Sequence, residues 1–200
     1  LPISQVIPAE SESAVRNSDM DATLFYQILI AEIEANSGEP GTAYQVYLEA
    51  ARRSQTDVLY KRAVEIALRA RAGEQALTAA KAWRQALPQS KEASEFTAQI
   101  LIALGRTADL AAPLRSIIQL TPAPQQPQVI ASLPRSLLRL TDRQAAAQVV
   151  EEATQPWRQA PLELAEAWAA TGEAWLQARQ PEKAYQATPQ ALKLQRSEEH

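Results

Sequence analysis

Residues 76–122, ALTAAKAWRQALPQSKEASEFTAQILIALGRTADLAAPLRSIIQLTP, decide the fold. Pro88 and Pro122 lie 34 residues apart in this stretch, and each closes the second helix of a helix pair. Ala43, Ala76 and Leu110 repeat the interval at spacings of 33 and 34 residues, each early in a second helix. A period of this length spells a stack of helical hairpins. One hairpin cannot bury its apolar stripe alone, so neighbours share a continuous core.

Working outward, the same register predicts five units, at about 21–55, 56–88, 90–122, 126–156 and 161–194. In the first, Leu24, Ile28, Leu29 and Ala31 recur at helical spacing, and Ala43, Tyr47 and Ala50 line one face of the second helix. The second unit opens on Thr56 or Asp57 as a cap, places Gly73 in its turn, and carries Tyr60, Ala63, Val64 and Ala67, then Ala76, Ala80 and Trp83. The third carries Phe96, Thr97, Ile100, Leu101 and Leu104, a turn at Gly105, then Leu110, Leu114 and Ile117.

The fourth unit is irregular, because Pro122, Pro124 and Pro127 crowd its entry and Pro134 falls inside its first helix. Its second helix reads firmly from Asp142 to about Ala153, with Ala145, Val149 and Ala153 inward. The fifth begins near Pro161 or Leu162, with Trp168, Thr171, Gly172 and Trp175 on one face and Ala184, Thr188 and Ala191 on the next helix. Residues 1–20 read as a flexible tail, interrupted by Pro2, Pro8 and several serines, and 196–200 as a truncated or artificially appended end.

Composition agrees with an all-α chain. The 200 residues are 46% hydrophobic, enough for a sizeable core, and no stretch alternates strictly with the period of a strand. Twenty basic and 23 acidic residues are well mixed, leaving no basic footprint for nucleic acid. No apolar run approaches the roughly 18–20 residues a membrane helix needs. With no cysteine, disulfides, thiolate zinc sites and cysteine nucleophiles are excluded from these residues. The chain opens on Leu1, so the lack of a signal peptide leaves the compartment open. A single histidine, His200, builds neither a metal constellation nor a triad, and no glycine loop cradles phosphate. We therefore expect no catalytic residues, no metal site and no cofactor.

The fifth unit resembles a tetratricopeptide repeat through Trp168, Gly172, Trp175, Ala184 and Ala191. The earlier units keep the small residue and the closing proline but lose the Trp and Gly of the first helix. The resemblance implies a right-handed superhelical solenoid of about five hairpins, whose first helices line a concave groove. The stretch from Leu24 to Pro88 is also similar to a family of proteobacterial outer-membrane lipoproteins that face the periplasm. One type of that family is an adaptor for a carboxyl-terminal processing protease. This second resemblance implies a periplasmic location at the outer membrane and an envelope protease as partner. The lipid-bearing cysteine is absent from this segment, and a cytoplasmic location is the alternative.

In repeats of this kind the fifth and ninth residues of each first helix face the groove. They are Ile28 and Glu32, Lys61 and Glu65, Glu95 and Gln99, then Ala169 and Glu173. The groove reads as mildly acidic with Lys61 as its main cation, suited to a protein or peptide carrying basic and apolar groups. Clamping of a peptide carboxylate is disfavoured, because Glu65 stands where that mode wants an Asn. Helical spacing assigns Trp83, Trp168 and Trp175 to the core, whereas Trp157, between Pro156 and Pro161, reads equally as core or exposed anchor. Tyr47 reads as core, with Tyr26, Tyr44 and Tyr60 half-buried.

Two functions fit this reading. The first is a non-catalytic scaffold or adaptor holding a protein or peptide in the groove. The alternative is a self-assembly or spacer module of a larger cell-envelope protein, in which a second copy of the chain is a partner.

Overall fold

The computed structural model describes residues 22–198, all side chains up to 196 included. The tail at 1–20 and His200 lie outside the described residues. Among the described residues ten α-helices form five successive pairs: α1 (Ala22–Ser37) with α2 (Pro40–Ser54), α3 (Asp57–Arg69) with α4 (Gly73–Ala86), α5 (Lys91–Ala103) with α6 (Ala111–Gln119), α7 (Gln126–Ser136) with α8 (Arg143–Thr154), and α9 (Ala165–Gln177) with α10 (Pro181–Glu198). Short 3-10 turns at Ala123–Gln125 and Gln155–Arg158 precede α7 and follow α8. The array is an all-α solenoid of tetratricopeptide-like hairpins, with no strand among the described residues.

Local chemistry sets the ends of these helices. Pro40 and Pro181 occupy the first turns of α2 and α10, where a missing N–H costs nothing. Ser90 and Asp142 cap α5 and α8 by accepting from the amides of Ala93 and Ala145 at 3.3 and 2.9 Å. Thr56 precedes α3 without a capping bond. Gly38 and Gly105, at φ +103° and +66°, turn the chain after α1 and α5 in a backbone region that costs a glycine least. Gly73 is the first residue of α4, not part of the turn. A Cβ there would meet Leu104 Cδ2 at 2.9 Å, the far end of an exposed side chain that can swing aside. Gly172 is buried, and a Cβ on it would stand 3.6 Å from the Ala187 Cβ, an ordinary contact.

Alanines form much of the seam. Ala31, Ala43, Ala63, Ala76, Ala80, Ala93 and Ala153 are fully buried, which brings neighbouring backbones close, and Trp83, Leu101, Ile118 and Trp175 fill the remaining space. Each helix from α1 to α6 packs chiefly on its sequence neighbours. The pattern changes at the fourth unit. There α7 rests mainly on α9 and only lightly on α6, and α6 reaches α8 instead. The prolines at 122, 124 and 127 account for this: they replace a helix start with a 3-10 turn and re-aim α7. Pro134 is accommodated, buried, in the last turn of α7.

Several inward assignments shift. Leu29, Leu104 and Thr188 are exposed, though the Thr188 hydroxyl stays close to Gly172 on α9, and Ala145 and Ile117 yield the deepest places to Ala146, Ala147 and Ile118. The fifth hairpin starts at Ala165, because Pro161 sits in a loop after a cis Ala160–Pro161 bond. α10 continues past Leu194 to Glu198 with Pro189 inside it.

Candidate functional site

The groove positions fall on α1, α3, α5 and α9, and the structure joins the first three helices with ion pairs. Glu32 on α1 takes both arms of the Arg62 guanidinium on α3, Nε to Oε1 at 2.6 Å and Nη2 to Oε2 at 2.7 Å. The Tyr47 hydroxyl on α2 donates to the same Oε1 at 2.5 Å. Arg62 extends a third, longer contact of 3.5 Å to Glu65. On the residue before Arg62, Lys61 pairs with Glu92 on α5 and stands 5.9 Å from the Phe96 ring centre. Lys91 then lies 3.7 Å from Glu95 on its own helix. Lys61 is therefore a brace between α3 and α5.

The electrostatics follow the geometry. The Arg62 fork, then the Tyr47 hydroxyl, hold the Glu32 carboxyl well below its ordinary 4.5, at about 2. Burial, then the neighbouring Glu32 carboxylate, push the Tyr47 phenol up to about 12. Glu32 in turn raises Arg62, and Glu92 raises Lys61. A depressed carboxyl stabilises the fold above its unfolded value, and that contribution is lost as pH falls from 4.5 towards 2. The Glu32 side chain is 34% exposed, so solvent screening limits the effect to about 1 kcal/mol. Urea titrations near pH 6 and near pH 3 are expected to show an acid-induced loss about 1 kcal/mol larger in the parent than in Arg62→Met. Equal losses in the two proteins would show that the pair contributes nothing.

The remaining groove positions are open. Gln99, Ala169 and Glu173 are exposed, Glu173 accepting from Gln177 Nε2 at 3.1 Å, while Ile28 is half-buried against the core. Among the described residues α9 packs on α10, α7 and α8, away from the ladder on α1, α3 and α5. Arg62 and Glu92 were not among the groove positions, yet they hold two of them. Their signal is present in the numbering: Glu32–Arg62 and Lys61–Glu92 are separated by 30 and 31 residues, one repeat less one helical turn.

The aromatic residues are mostly structural. Tyr44, Tyr47 and Tyr60 are buried and Tyr26 is exposed, so these four form no tyrosine strip. Trp83 donates to Asp57 Oδ1 at 2.6 Å, Trp157 to Gln126 Oε1 at 2.9 Å and Trp175 to Glu151 Oε2 at 3.1 Å. Trp157 is thus a core residue. Trp168 is half-buried and carries the Arg158 guanidinium 5.3 Å from its ring centre. Lys183 lies 3.9 Å over the Trp175 ring, and these groups border a polar cleft of about 260 Å3 between the fourth and fifth hairpins. Among the described residues no cluster of three or more His, Cys, Asp or Glu could hold a metal ion, and no helix is long and apolar enough to cross a membrane.

No protein-family model matches the chain, and no curated protein sequence matches it. Among solved structures it is similar to one described as MamA RS-1 ArsTM double mutant, at 14% identity and a TM-score of 0.47, over 90% of this chain and 98% of that one. It is similar to MamA 41-end from Desulfovibrio magneticus RS-1 at 14% identity and a TM-score of 0.46, over 90% of this chain and 99% of that one. A crystal structure of MamA protein aligns at 13% identity and a TM-score of 0.46, over 87% of this chain and 92% of that one.

Proposed function

We propose that this chain is a non-catalytic protein- or peptide-binding scaffold that uses the row of its first helices. The observation that carries the reading is the ion-pair ladder across α1, α3 and α5. It fixes three helices edge to edge through half-exposed side chains and leaves the carboxylates of Glu65 and Glu95 only loosely engaged. Along the row Glu32, Glu65, Glu92, Glu95 and Glu173 outnumber Lys61, Arg62 and Lys91. A partner segment with basic and apolar groups complements that balance.

The test places a photo-crosslinking residue at Gln99 or Ala169 and, as a control, at the exposed Thr78 on α4. In native extract, adducts are expected from the two groove positions and not from Thr78. Glu65→Lys with Glu95→Lys should weaken capture of the crosslinked partner about tenfold, with the helical spectrum unchanged. Undiminished capture by that variant would overturn the groove reading. Lys61 is left intact because it braces α3 to α5.

The resemblance of residues 24–88 to outer-membrane lipoproteins supports a periplasmic site of action, with a carboxyl-terminal processing protease as the partner. Cell fractionation with an antibody to the native protein, and the identity of the crosslinked partner, test these two points separately.

A further inference from the structure

We propose that the two ends of this array dock onto each other, so that copies of the chain stack head to tail through a copy of its own internal hairpin junction. Internal junctions set the rule. Tyr44 on α2 is 3% exposed, because the second hairpin covers it, and its hydroxyl donates to the Gln75 carbonyl at the start of α4 at 3.0 Å. Ala51, two turns on, is fully buried by the same hairpin.

The last helix repeats the first hairpin's second helix in register. Pro40 and Pro181 both begin their helices, and Ala43-Tyr44-Gln45 recurs as Ala184-Tyr185-Gln186. Tyr185 is the twin of Tyr44 yet is 76% exposed, and Leu192, the twin of Ala51, is 50% exposed. Nothing among the described residues covers them.

The opposite end carries the matching half. Leu59, Ala63 and Ile66 on α3 are buried, and their counterparts 33 residues earlier, Tyr26, Ile30 and Ile33 on α1, are exposed. Beside them α1 and α2 bound an open cleft of about 460 Å3, lined by Ile30, Val46, Thr42 and Glu34 among others. Glu34 Oε2 is buried there without a hydrogen-bond partner. In the third hairpin the same face is occupied. Lys81 and Arg84 of α4 reach across it to Asp109 at 2.7 Å and Ser116 at 3.4 Å. Leu192 stands on α10 where Arg84 stands on α4, and an apolar side chain suits a cleft floored by Ile30 and Val46. In the stack, Tyr185 donates to the Thr42 carbonyl of the next copy, as Tyr44 does to Gln75. The contact is heterologous and leaves one free face at each end, so it grows beyond a dimer.

Sedimentation of these 200 residues over a range of concentrations tests this. The average mass is expected to rise past that of a dimer. Leu192→Glu and Ile30→Glu, both at exposed positions, should each weaken association at least about tenfold without changing the helical spectrum or the melting temperature. Mixed in equal amounts, the two variants should form dimers and stop, because each keeps the end the other lacks. A monomer at every concentration would overturn the proposal. So would assembly that Ile30→Glu abolishes and Leu192→Glu leaves untouched, since that marks a symmetric contact between two α1 faces. If deletion of residues 1–21 turns a monomer into an assembling chain, the leading segment is the occupant of the α1 face, and the proposal fails. The readout is mass, not partner capture, so it stands or falls apart from the groove reading.

Discussion

Trp83→Ala is expected to lower the free energy of unfolding by about 3–5 kcal/mol. Trp83 is fully buried, meets Phe96 with ring centres 5.7 Å apart, and donates to Asp57 across the base of the second hairpin. Asp57 also accepts from Ser90, which in turn caps α5. One carboxylate thus ties the start of α3 to the end of α4 and the start of α5. Removing the indole opens a cavity the size of the side chain and strips Asp57 of one donor. Trp83→Phe separates the two effects: it keeps most of the packing, loses the donor, and should cost about 1–2 kcal/mol. Urea titration followed by helical signal measures both. Because stability in a stack is a sum of units and nearest-neighbour contacts, the Trp83→Ala transition should also broaden as the second and third hairpins uncouple. A loss for Trp83→Ala under about 1 kcal/mol would mean that this junction is not where the array's stability resides.

The period of 33–34 residues was enough to recover the number of hairpins and most of their boundaries, because a helix is legible from the spacing of its own apolar residues. What covers a helix is not. Leu29 and Leu104 keep helical spacing and yet are exposed, since spacing locates an apolar face without saying that a neighbour lies against it. The groove suffered the same blindness. Glu32 and Lys61 read as free charges on one helix each, whereas their partners Arg62 and Glu92 sit on the next first helix. Such pairs become visible only when separations are taken modulo the repeat. Asp57 was read as a cap for its own helix and serves two neighbours instead, a role that depends on where α4 ends.

Trp157→Ala is expected to cost about 3–5 kcal/mol, more than Trp168→Ala, although Trp168 is the residue that matches the repeat motif. Trp157 lies off the helical stripe, on the 3-10 turn after α8, and is 2% exposed. Its indole donates to Gln126, whose own amide donates to the Thr121 carbonyl at 3.0 Å, so the ring seals the proline-rich entry to α7. Its carbonyl accepts from the Leu164 amide at 2.8 Å, which brings the chain round to α9. Where α6 and α7 scarcely touch, this side chain supplies the closure that a regular hairpin junction supplies elsewhere. Trp168, half-buried and stacked by Arg158, should lose about 1 kcal/mol on truncation. A double-mutant cycle of Trp157→Phe with Gln126→Leu should return about 1 kcal/mol of coupling. A null coupling would assign the role of Trp157 to packing alone, and a Trp157→Ala cost no greater than that of Trp168→Ala would show that the fourth unit closes without it.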